Sequence, residues 1–312
     1  MDPGEFGYST LPLQHGPYEA ISAETLKGTN AGKVAVVTGA GQGIGAAISE
    51  ALAKSGASVA ILDLSIAKQE DTRKACETHG VKVAAYACDV TSQDAIISTF
   101  DAIEKDLGPI DILVNNAGIL DSRPLLMSTF DGFWRQIEVN FKAPLLTIHT
   151  LLPRFRERGG GCIINIASRS GTVDVPMTLG YVSSKAALIR ATHTLQKEME
   201  IDGLDPAIHF YALHPGGVLT GMGGSAAKQD VKEKYGDPRD ESFFMTLFKD
   251  PPALCGQTCA FLASGRGIGL RGFYLDCRQD VGKLLEKGRE TLVKEKRNTL
   301  TVNFLDGYCN EP

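Results

Sequence analysis

The sequence predicts one α/β domain built on a single doubly wound parallel sheet of seven strands, with helices on both faces. Short apolar runs alternate with amphipathic helical stretches throughout residues 33–276, which is typical of a parallel sheet. A glycine-rich turn follows the first apolar run, and polar residues stand at the ends of later runs. With 312 residues, 43% of them hydrophobic, the chain suits one large domain or two small ones.

The first strand and helix are joined by a turn suited to binding phosphate. Residues 34–37 form an apolar, β-branched run, and the apolar positions of residues 44–55 fall on one helical face. Glycines between them let a phosphate approach the backbone, and the helix N-terminus points free N–H groups at it. We expect this turn to contact a cofactor through Gly39, Gln42, Gly43, Ile44 and Gly45.

The second strand, residues 58–62, ends at Asp63. A carboxylate at this point can accept hydrogen bonds from a ribose diol. A glycine-rich turn alone is a weak indication, but strand, turn, helix, second strand and acid stand here in the order of a dinucleotide site. Capping the next helix is the alternative role for Asp63, although Ser65 is at least as good a cap.

The remaining apolar runs and amphipathic stretches complete the alternation. We expect further strands at residues 81–87, 110–114, 162–167, 207–213 and 272–276. Helices should lie at residues 65–79, 92–107, 181–199 and 252–263, with one long helix through Trp134 and Asn140 to Leu152. Because crossovers between parallel strands are right-handed, these helices should cover both faces of the sheet.

Three segments flank or interrupt this domain, which we place at residues 31–280. Residues 1–30, with several prolines and glycines, predict an arm that packs against the body or a partner subunit, or that is disordered. Residues 218–252 form a long connection with an apolar cluster at 243–248, and predict a substrate lid, which is compatible with ordinary packing of a short helix. Residues 281–312 predict a helical tail, with a charged helix at 281–298.

Composition excludes several classes of partner. The formal net charge of −5 gives no electrostatic reason to expect nucleic acid or an anionic membrane. We find no apolar run near the roughly 20 residues that span a bilayer, and no secretory signal at the N-terminus. Seven scattered cysteines favour a reducing compartment, so we expect a cytoplasmic protein. Cys255 and Cys259 lack neighbouring ligands, so we expect helix packing there and no metal.

The carboxyl ends of the strands should gather the residues that carry chemistry. In a doubly wound sheet these ends border the ligand crevice. The polar or glycine residues that end the predicted strands are Gly39, Asp63, Asp89, Asn116, Ser168 and Gly216. Topology therefore brings them to one edge.

Tyr181 and Lys185 are four residues apart on a predicted helix and share a face. A phenol has a pKa of about 10, and a nearby ammonium lowers it, so the pair can move a proton at a carbinol or carbonyl. Alone, such a pair is usually a surface contact. Ser168, which ends the preceding strand, strengthens the prediction because its hydroxyl can polarise a carbonyl. Asn140 could hold a water that links Lys185 to solvent, or could simply bond locally.

These motifs together resemble the short-chain dehydrogenase/reductase family, in its single-domain, Rossmann-like branch. The matching residues cover about 33–220: the 38–45 turn, Asp89, residues 115–118, Asn140, Ser168, Tyr181 with Lys185, and Pro215-Gly216 with Thr220. The resemblance implies a catalytic set of Asn140, Ser168, Tyr181 and Lys185. In it Tyr181 is the acid/base, Ser168 positions substrate, Lys185 lowers the Tyr181 pKa and binds ribose, and Asn140 supports a water relay.

The resemblance also implies where a dinucleotide is held. Asn116 and Asp89 should lie in the adenine and ribose region, and Val218 and Thr220 should contact the nicotinamide carboxamide. Further expected contacts are Val90, Ala117, Gly118, Tyr181, Lys185, Pro215 and Gly216. Thr38 and Asn115 should be structural braces. Asp63 would repel the 2′-phosphate of NADP, and Gln42 is neutral, so NAD is favoured over NADP.

We therefore expect hydride transfer between nicotinamide C4 and a secondary alcohol or ketone of a mid-sized, fairly apolar substrate. The alternatives are a dehydratase, epimerase or cyclase on the same scaffold, or a dinucleotide-sensing protein without catalysis. The family pattern predicts a homo-oligomer, a dimer or tetramer. After Asp276 the sequence departs from the usual family ending, and its long tail resembles those of fungal members.

Overall fold

A computed structural model of the protein describes residues 12–221, 229–236 and 248–301. Its centre is a seven-stranded sheet in the order β3-β2-β1-β4-β5-β6-β7, in which every neighbouring pair is parallel. The strands are β1 (Val34–Thr38), β2 (Ser58–Asp63), β3 (Val83–Ala87), β4 (Ile110–Asn115), β5 (Gly161–Ile166), β6 (Ile208–His214) and β7 (Tyr274–Asp276). The predicted fold is confirmed.

Helices alternate with the strands, as predicted. They are α1 (Gly43–Lys54), α2 (Glu70–Glu77), α3 (Gln93–Leu107), α4 (Phe130–Ile137), α5 (Ala143–Arg158), α6 (Leu179–Ile201), α7 (Gln229–Tyr235), α8 (Pro252–Ala263), α9 (Val281–Lys287) and α10 (Arg289–Lys294). None of the helices in the described part of the chain is long and apolar enough to cross a membrane.

The two faces of the sheet are covered by two separate apolar cores. Successive side chains of a strand point to opposite faces. In β1, Ala35 and Val37 therefore join one core with α1 and α8, while Val34 and Val36 join the other with α3 and α5. Strands buried on both faces read as continuous apolar runs, which is why the sequence located them so well.

Three predicted helices differ in the structure. The long helix predicted through Trp134 to Leu152 is interrupted by a π-helical turn, Glu138–Lys142, between α4 and α5. The helix predicted at 65–79 begins with a 3₁₀ turn, Ile66–Gln69. The tail helix predicted at 281–298 is two short helices, because Gly288 adopts φ +77° and breaks the hydrogen-bond ladder between them.

The N-terminal arm packs against the body over residues 12–30. Ile21 is fully buried and Leu26 is 2% exposed, both in the core that contains α1 and α8. Asn30 donates hydrogen bonds to the Ser55 hydroxyl and the Ala260 carbonyl. Of the alternatives raised by the sequence, packing on the body therefore holds for these residues.

The predicted lid and tail are described only in part. Residues 222–228 and 237–247, with most of the apolar cluster, lie outside the described residues. Within the connection, α7 is joined to the loop after β4 by an ion pair, Arg123 Nη1 to Asp230 Oδ2, at 2.8 Å. In the tail, Asn298 exchanges two hydrogen bonds with the Tyr274 backbone and so covers the free edge of β7.

Candidate active site

A cleft of about 590 Å³ runs along the carboxyl ends of the strands. It lies where the strand order reverses between β1 and β4, the usual ligand position in such sheets. The predicted residues that line it are Gly39, Gln42, Gly43, Ile44, Gly45, Asp63, Asp89, Val90, Asn116, Ala117, Gly118, Tyr181, Lys185, Pro215 and Thr220. Most of the predicted site residues therefore line the cleft. The other predicted site residues, Asn140, Ser168, Gly216 and Val218, are not among the residues that line it.

The glycine turn at the start of α1 forms a cradle that side chains would fill. Gly39 has φ +62°, and a Cβ there would meet Ala117 Cα at 2.8 Å. A Cβ on Gly45 would collide with the Gly39 carbonyl and with Asn116 Nδ2. Gln42 is the N-cap residue of α1, so the first N–H groups of that helix open into the cleft. This arrangement fits the phosphates of a dinucleotide.

Asp63 ties the end of β2 to the glycine turn. Its Oδ2 accepts a hydrogen bond from Gly41 N at 3.1 Å, and its Oδ1 accepts one from Leu64 N at 2.8 Å. The Asp63 carboxylate therefore does not cap the Ile66–Gln69 turn that follows. Lys68 lines the same end of the cleft. Lys68 could not be predicted as a site residue, because its position depends on how the Ile66–Gln69 turn folds back over Gly41.

The Asn116 side chain braces the glycine turn. Its Nδ2 donates to the carbonyls of Thr38 and Gly39, at 2.9 and 3.0 Å. Thr38 Oγ1 accepts from the backbone N–H groups of Asn116 and Ala117, both at 3.0 Å. Asn115 is buried, donates to Asn165 Oδ1 and accepts from the Thr147 hydroxyl. The expected bracing by Thr38 and Asn115 is thus seen, and the Asn116 amide shares it.

Asp89 lies at the far end of the cleft from Tyr181, after β3. Its Oδ1 accepts hydrogen bonds from the Thr91 hydroxyl at 2.7 Å and the Thr91 N–H at 2.9 Å. These bonds stabilise the carboxylate and lower the pKa of Asp89. The group is charged at neutral pH and remains partly exposed to the cleft.

Lys185 projects from α6 into a buried position beneath the cleft. Its Nζ donates to the Ile166 carbonyl at the end of β5, at 2.7 Å, and lies 5.7 Å from the centroid of the Tyr181 ring. Burial disfavours the ammonium and lowers the pKa of Lys185 to about 8. The amine therefore changes charge close to physiological pH.

The pKa of Tyr181 differs from the sequence-based expectation. We expected Lys185 to lower it, but withdrawal of the phenol from water raises the pKa, and the group that lowers it is Ser168, through a hydrogen bond between the two side chains. The reason lies in the placement of Lys185, whose Nζ is directed at the Ile166 carbonyl. Ser168 thus tunes the phenol directly.

Ser168 is held against α6 by a turn that needs glycine. Its Oγ accepts from Ser170 N at 3.1 Å at the start of the Arg169–Gly171 turn. A Cβ on Gly171 would meet the Lys185 carbonyl carbon at 2.7 Å, so only glycine allows this approach. His214 Nδ1 accepts from Arg169 N at 3.2 Å. Sequence reasoning missed His214, whose only sign was a polar residue at the end of β6.

Asn140 is fully buried in the π-helical turn. Its Oδ1 accepts from Ile119 N, and its Nδ2 donates to the Ile119 carbonyl, both at 2.8 Å. Both polar atoms of the side chain are engaged with the loop after β4. The structure thus shows Asn140 holding that loop, whereas the water relay expected from the resemblance stays a prediction.

Comparison with known proteins agrees with this geometry. The family model for short chain dehydrogenase matches residues 33–231. A short chain dehydrogenase of the fungus Pseudocercospora fijiensis is 32% identical over 293 residues, covering 90% of this chain and 92% of the relative. D-threitol dehydrogenase of Mycolicibacterium smegmatis is 34% identical over 197 residues, covering 62% and 74%.

A solved structure shows the same fold. NAD⁺-bound xylitol dehydrogenase superposes with a TM-score of 0.70 at 27% identity, covering 80% of this chain and 99% of that chain. The match to the fungal relative covers 293 residues and is therefore longer than residues 33–231, the part matched by the family model. Members of the family use NAD or NADP. From these matches and the cleft described above, the chain belongs to the short-chain dehydrogenase family of oxidoreductases.

Proposed function

We propose that this protein is an NAD-dependent oxidoreductase that interconverts a secondary alcohol and a ketone, with Tyr181 as the acid/base. The observation that carries the proposal is the meeting of Tyr181, Ser168 and Lys185 at one end of a cleft whose middle is the glycine cradle. The residues present suit a dinucleotide. When bound, the nicotinamide supplies or accepts the hydride.

The chain's own groups would hold the dinucleotide along the cleft. The N-terminus of α1 and the turn at Gly39–Gly45 would bind the phosphates, because the N-cap residue Gln42 makes no side-chain hydrogen bond to the first N–H groups of the helix. Asp63 would accept hydrogen bonds from the adenosine ribose. Lys185 would bind the ribose next to the nicotinamide.

Tyr181 and Ser168 would handle the proton and orient the substrate. In reduction the Tyr181 hydroxyl donates its proton to the ketone oxygen, and in oxidation the phenolate accepts the alcohol proton. The Ser168 hydroxyl bonds to that same substrate oxygen and steadies it. Ser168 also lowers the pKa of Tyr181 and so favours the phenolate left after reduction. Lys185 lies beside the phenol, with Nζ 5.7 Å from the ring centroid. Because its pKa is about 8, it can also return a proton near neutral pH.

We infer a preference for NAD from the charge at the ribose end of the cleft. The Asp63 carboxylate lies next to Gly41, and like charge there would oppose a 2′-phosphate. Lys68 lines the same end and offsets part of this repulsion. We therefore expect the protein to bind NAD more tightly than NADP but still to bind NADP.

The substrate end of the cleft supports a mid-sized, partly apolar alcohol or ketone. Ile119, Val139 and Ile166 line the cleft together with Tyr181. Two of the compared proteins, D-threitol dehydrogenase and xylitol dehydrogenase, are named for polyol oxidation, which supports a secondary alcohol as the reacting group.

A turnover screen of secondary alcohols and ketones tests this function by the absorbance of the reduced nicotinamide. The decisive variant is Tyr181→Phe, for which we expect a loss of at least about 100-fold in turnover with NAD affinity retained. Tyr86→Phe is the matched control, since that phenol donates to Asp106 on the surface, away from the cleft. Activity of Tyr181→Phe close to that of Tyr86→Phe would refute the assignment.

A further inference from the structure

A buried carboxylate, Asp250, lies behind the turn that follows β6. Its side chain is 1% exposed. Its Oδ2 accepts a hydrogen bond from Gly217 N at 2.7 Å, and its own backbone N–H donates to the Gly217 carbonyl at 2.8 Å. Both the N–H and the carbonyl of Gly217 are thus hydrogen-bonded to Asp250, two residues before α8.

The N-terminal arm supplies the second partner of this carboxylate. His15 Nδ1 lies 2.5 Å from Asp250 Oδ1, and the His15 side chain is 38% exposed. Just before it, Gln14 N donates to the Arg278 carbonyl at 2.7 Å, which fixes the arm in place. The Arg278 guanidinium is bound to Asp276 and lies 3.9 Å from Asp250. The arm therefore brings a hydrogen-bond donor to an acid buried behind the cleft.

The shape of the turn depends on where this carboxylate lies. Gly216 has φ +83°, and a Cβ there would meet Asp250 Oδ2 at 2.8 Å. The turn thus rests directly on the carboxylate. Pro215, directly before the turn, lines the cleft together with Tyr181, whereas Thr220, after the turn, lies against Gly43 at the start of α1. A shift of Asp250 reaches Pro215 through the adjacent Gly216, and reaches the phosphate cradle only along the chain from Gly217 to Thr220.

We propose that His15 and Asp250 are positioning residues for the nicotinamide end of the cofactor site, acting through Gly217 and the turn after β6. The proposal rests on the proposed function, because it requires that a dinucleotide binds the cleft. Removal of the His15 imidazole takes one donor from a buried carboxylate and loosens the turn. Contacts with the adenosine and phosphates should change less, since Asp63 bonds to Gly41 and Leu64 and the backbone hydrogen bonds of the described arm residues do not reach the glycine turn.

The test compares two ligands, NAD and ADP-ribose, which is NAD without its nicotinamide ring. Their dissociation constants are measured by calorimetry on the full chain. For His15→Ala we expect NAD to bind about fivefold to tenfold more weakly while ADP-ribose binds as in the wild type. His15→Asn should restore NAD binding, because its amide nitrogen can occupy nearly the place of Nδ1 and donate to Asp250.

The matched control is Thr25→Ala, which changes the same arm at a hydroxyl that bonds only within the arm, to Ser22 and Glu19. It should leave both dissociation constants unchanged. Equal weakening of NAD and ADP-ribose in His15→Ala would mean general loosening and would overturn the proposal, as would unchanged binding of both. A wild-type protein that binds neither ligand would overturn the proposed function itself, and the positioning role with it.

Discussion

Replacement of Gly171 by alanine should damage both stability and catalysis, because this glycine sets the distance between Ser168 and α6. Its added Cβ would lie 2.7 Å from the Lys185 carbonyl carbon and 2.8 Å from Ala186 N. Both are backbone atoms of a 23-residue helix, so they cannot give way as a flexible side chain would. Overpacking of this kind costs about 2 kcal/mol.

The expected consequences can be measured separately. A loss of about 2 kcal/mol should lower Tm by roughly 3–4 °C in a domain of this size. Displacement of Ser168 by a fraction of an ångström to about 1 Å should also lower kcat by up to about 100-fold. NAD affinity should change little, because the glycine cradle lies between β1 and α1, whereas Gly171 follows β5. Thermal unfolding, calorimetry and turnover assays follow the three quantities.

Gly160→Ala is the matched control for this prediction. A Cβ there would meet only the Ala207 carbonyl oxygen, at 3.6 Å, an ordinary contact. We therefore expect wild-type Tm and turnover within error. If Gly171→Ala behaved like Gly160→Ala, the close approach of the Ser168 turn to α6 would be wrong, and with it the geometry assigned to the catalytic set.

Three further variants test the charges of the site. Ser168→Ala should raise the pKa of Tyr181, because the hydrogen bond that lowers it is lost; the rising limb of the pH–rate profile for alcohol oxidation should move to higher pH, and an unmoved limb would contradict this. Lys185→Met should abolish turnover yet raise stability at pH 7, since burial disfavours the ammonium. The pKa of Lys185 is about 8 in the folded protein against an ordinary value of 10.5. This penalty is therefore fully present below about pH 8 and is relieved as pH rises towards 10.5. Thermal unfolding of both proteins between pH 7 and 10 should show the gain shrinking, whereas a constant or growing difference would reject the assignment. Asp63→Asn should raise the ratio of NADP to NAD affinity by about tenfold, measured by calorimetry, with Asp106→Asn as a surface control and an unchanged ratio as the contrary result.

The sheet and the dinucleotide cleft were predictable because their determinants are local. A buried parallel strand requires a continuous apolar run, so β1 and β4 could be bounded to within a residue or two. The Gly39–Gly45 turn requires glycines at fixed spacing, which the sequence displays. Topology then predicted that Asp63 and Ser168, which end their strands, lie at the same edge, without any knowledge of their contacts.

The remaining features depend on contacts between distant segments. No periodicity reveals that Asn140 sits in a π-helical turn and bonds to Ile119, since both partners must already be packed together. The Tyr181 pKa could not be predicted either, because it depends on burial and on Ser168 from another element. Likewise, the contact between His15 and Asp250 joins residues 235 positions apart.

A crystal structure of the wild-type protein with NAD bound tests the central claim most directly. We predict that the pyrophosphate lies at the N-terminus of α1 between Gly39 and Gly45, and that the nicotinamide ring lies beside the Tyr181 hydroxyl. A dinucleotide bound elsewhere, or a ring on the side of the cleft away from Tyr181, would contradict the mechanism proposed for this member of the family.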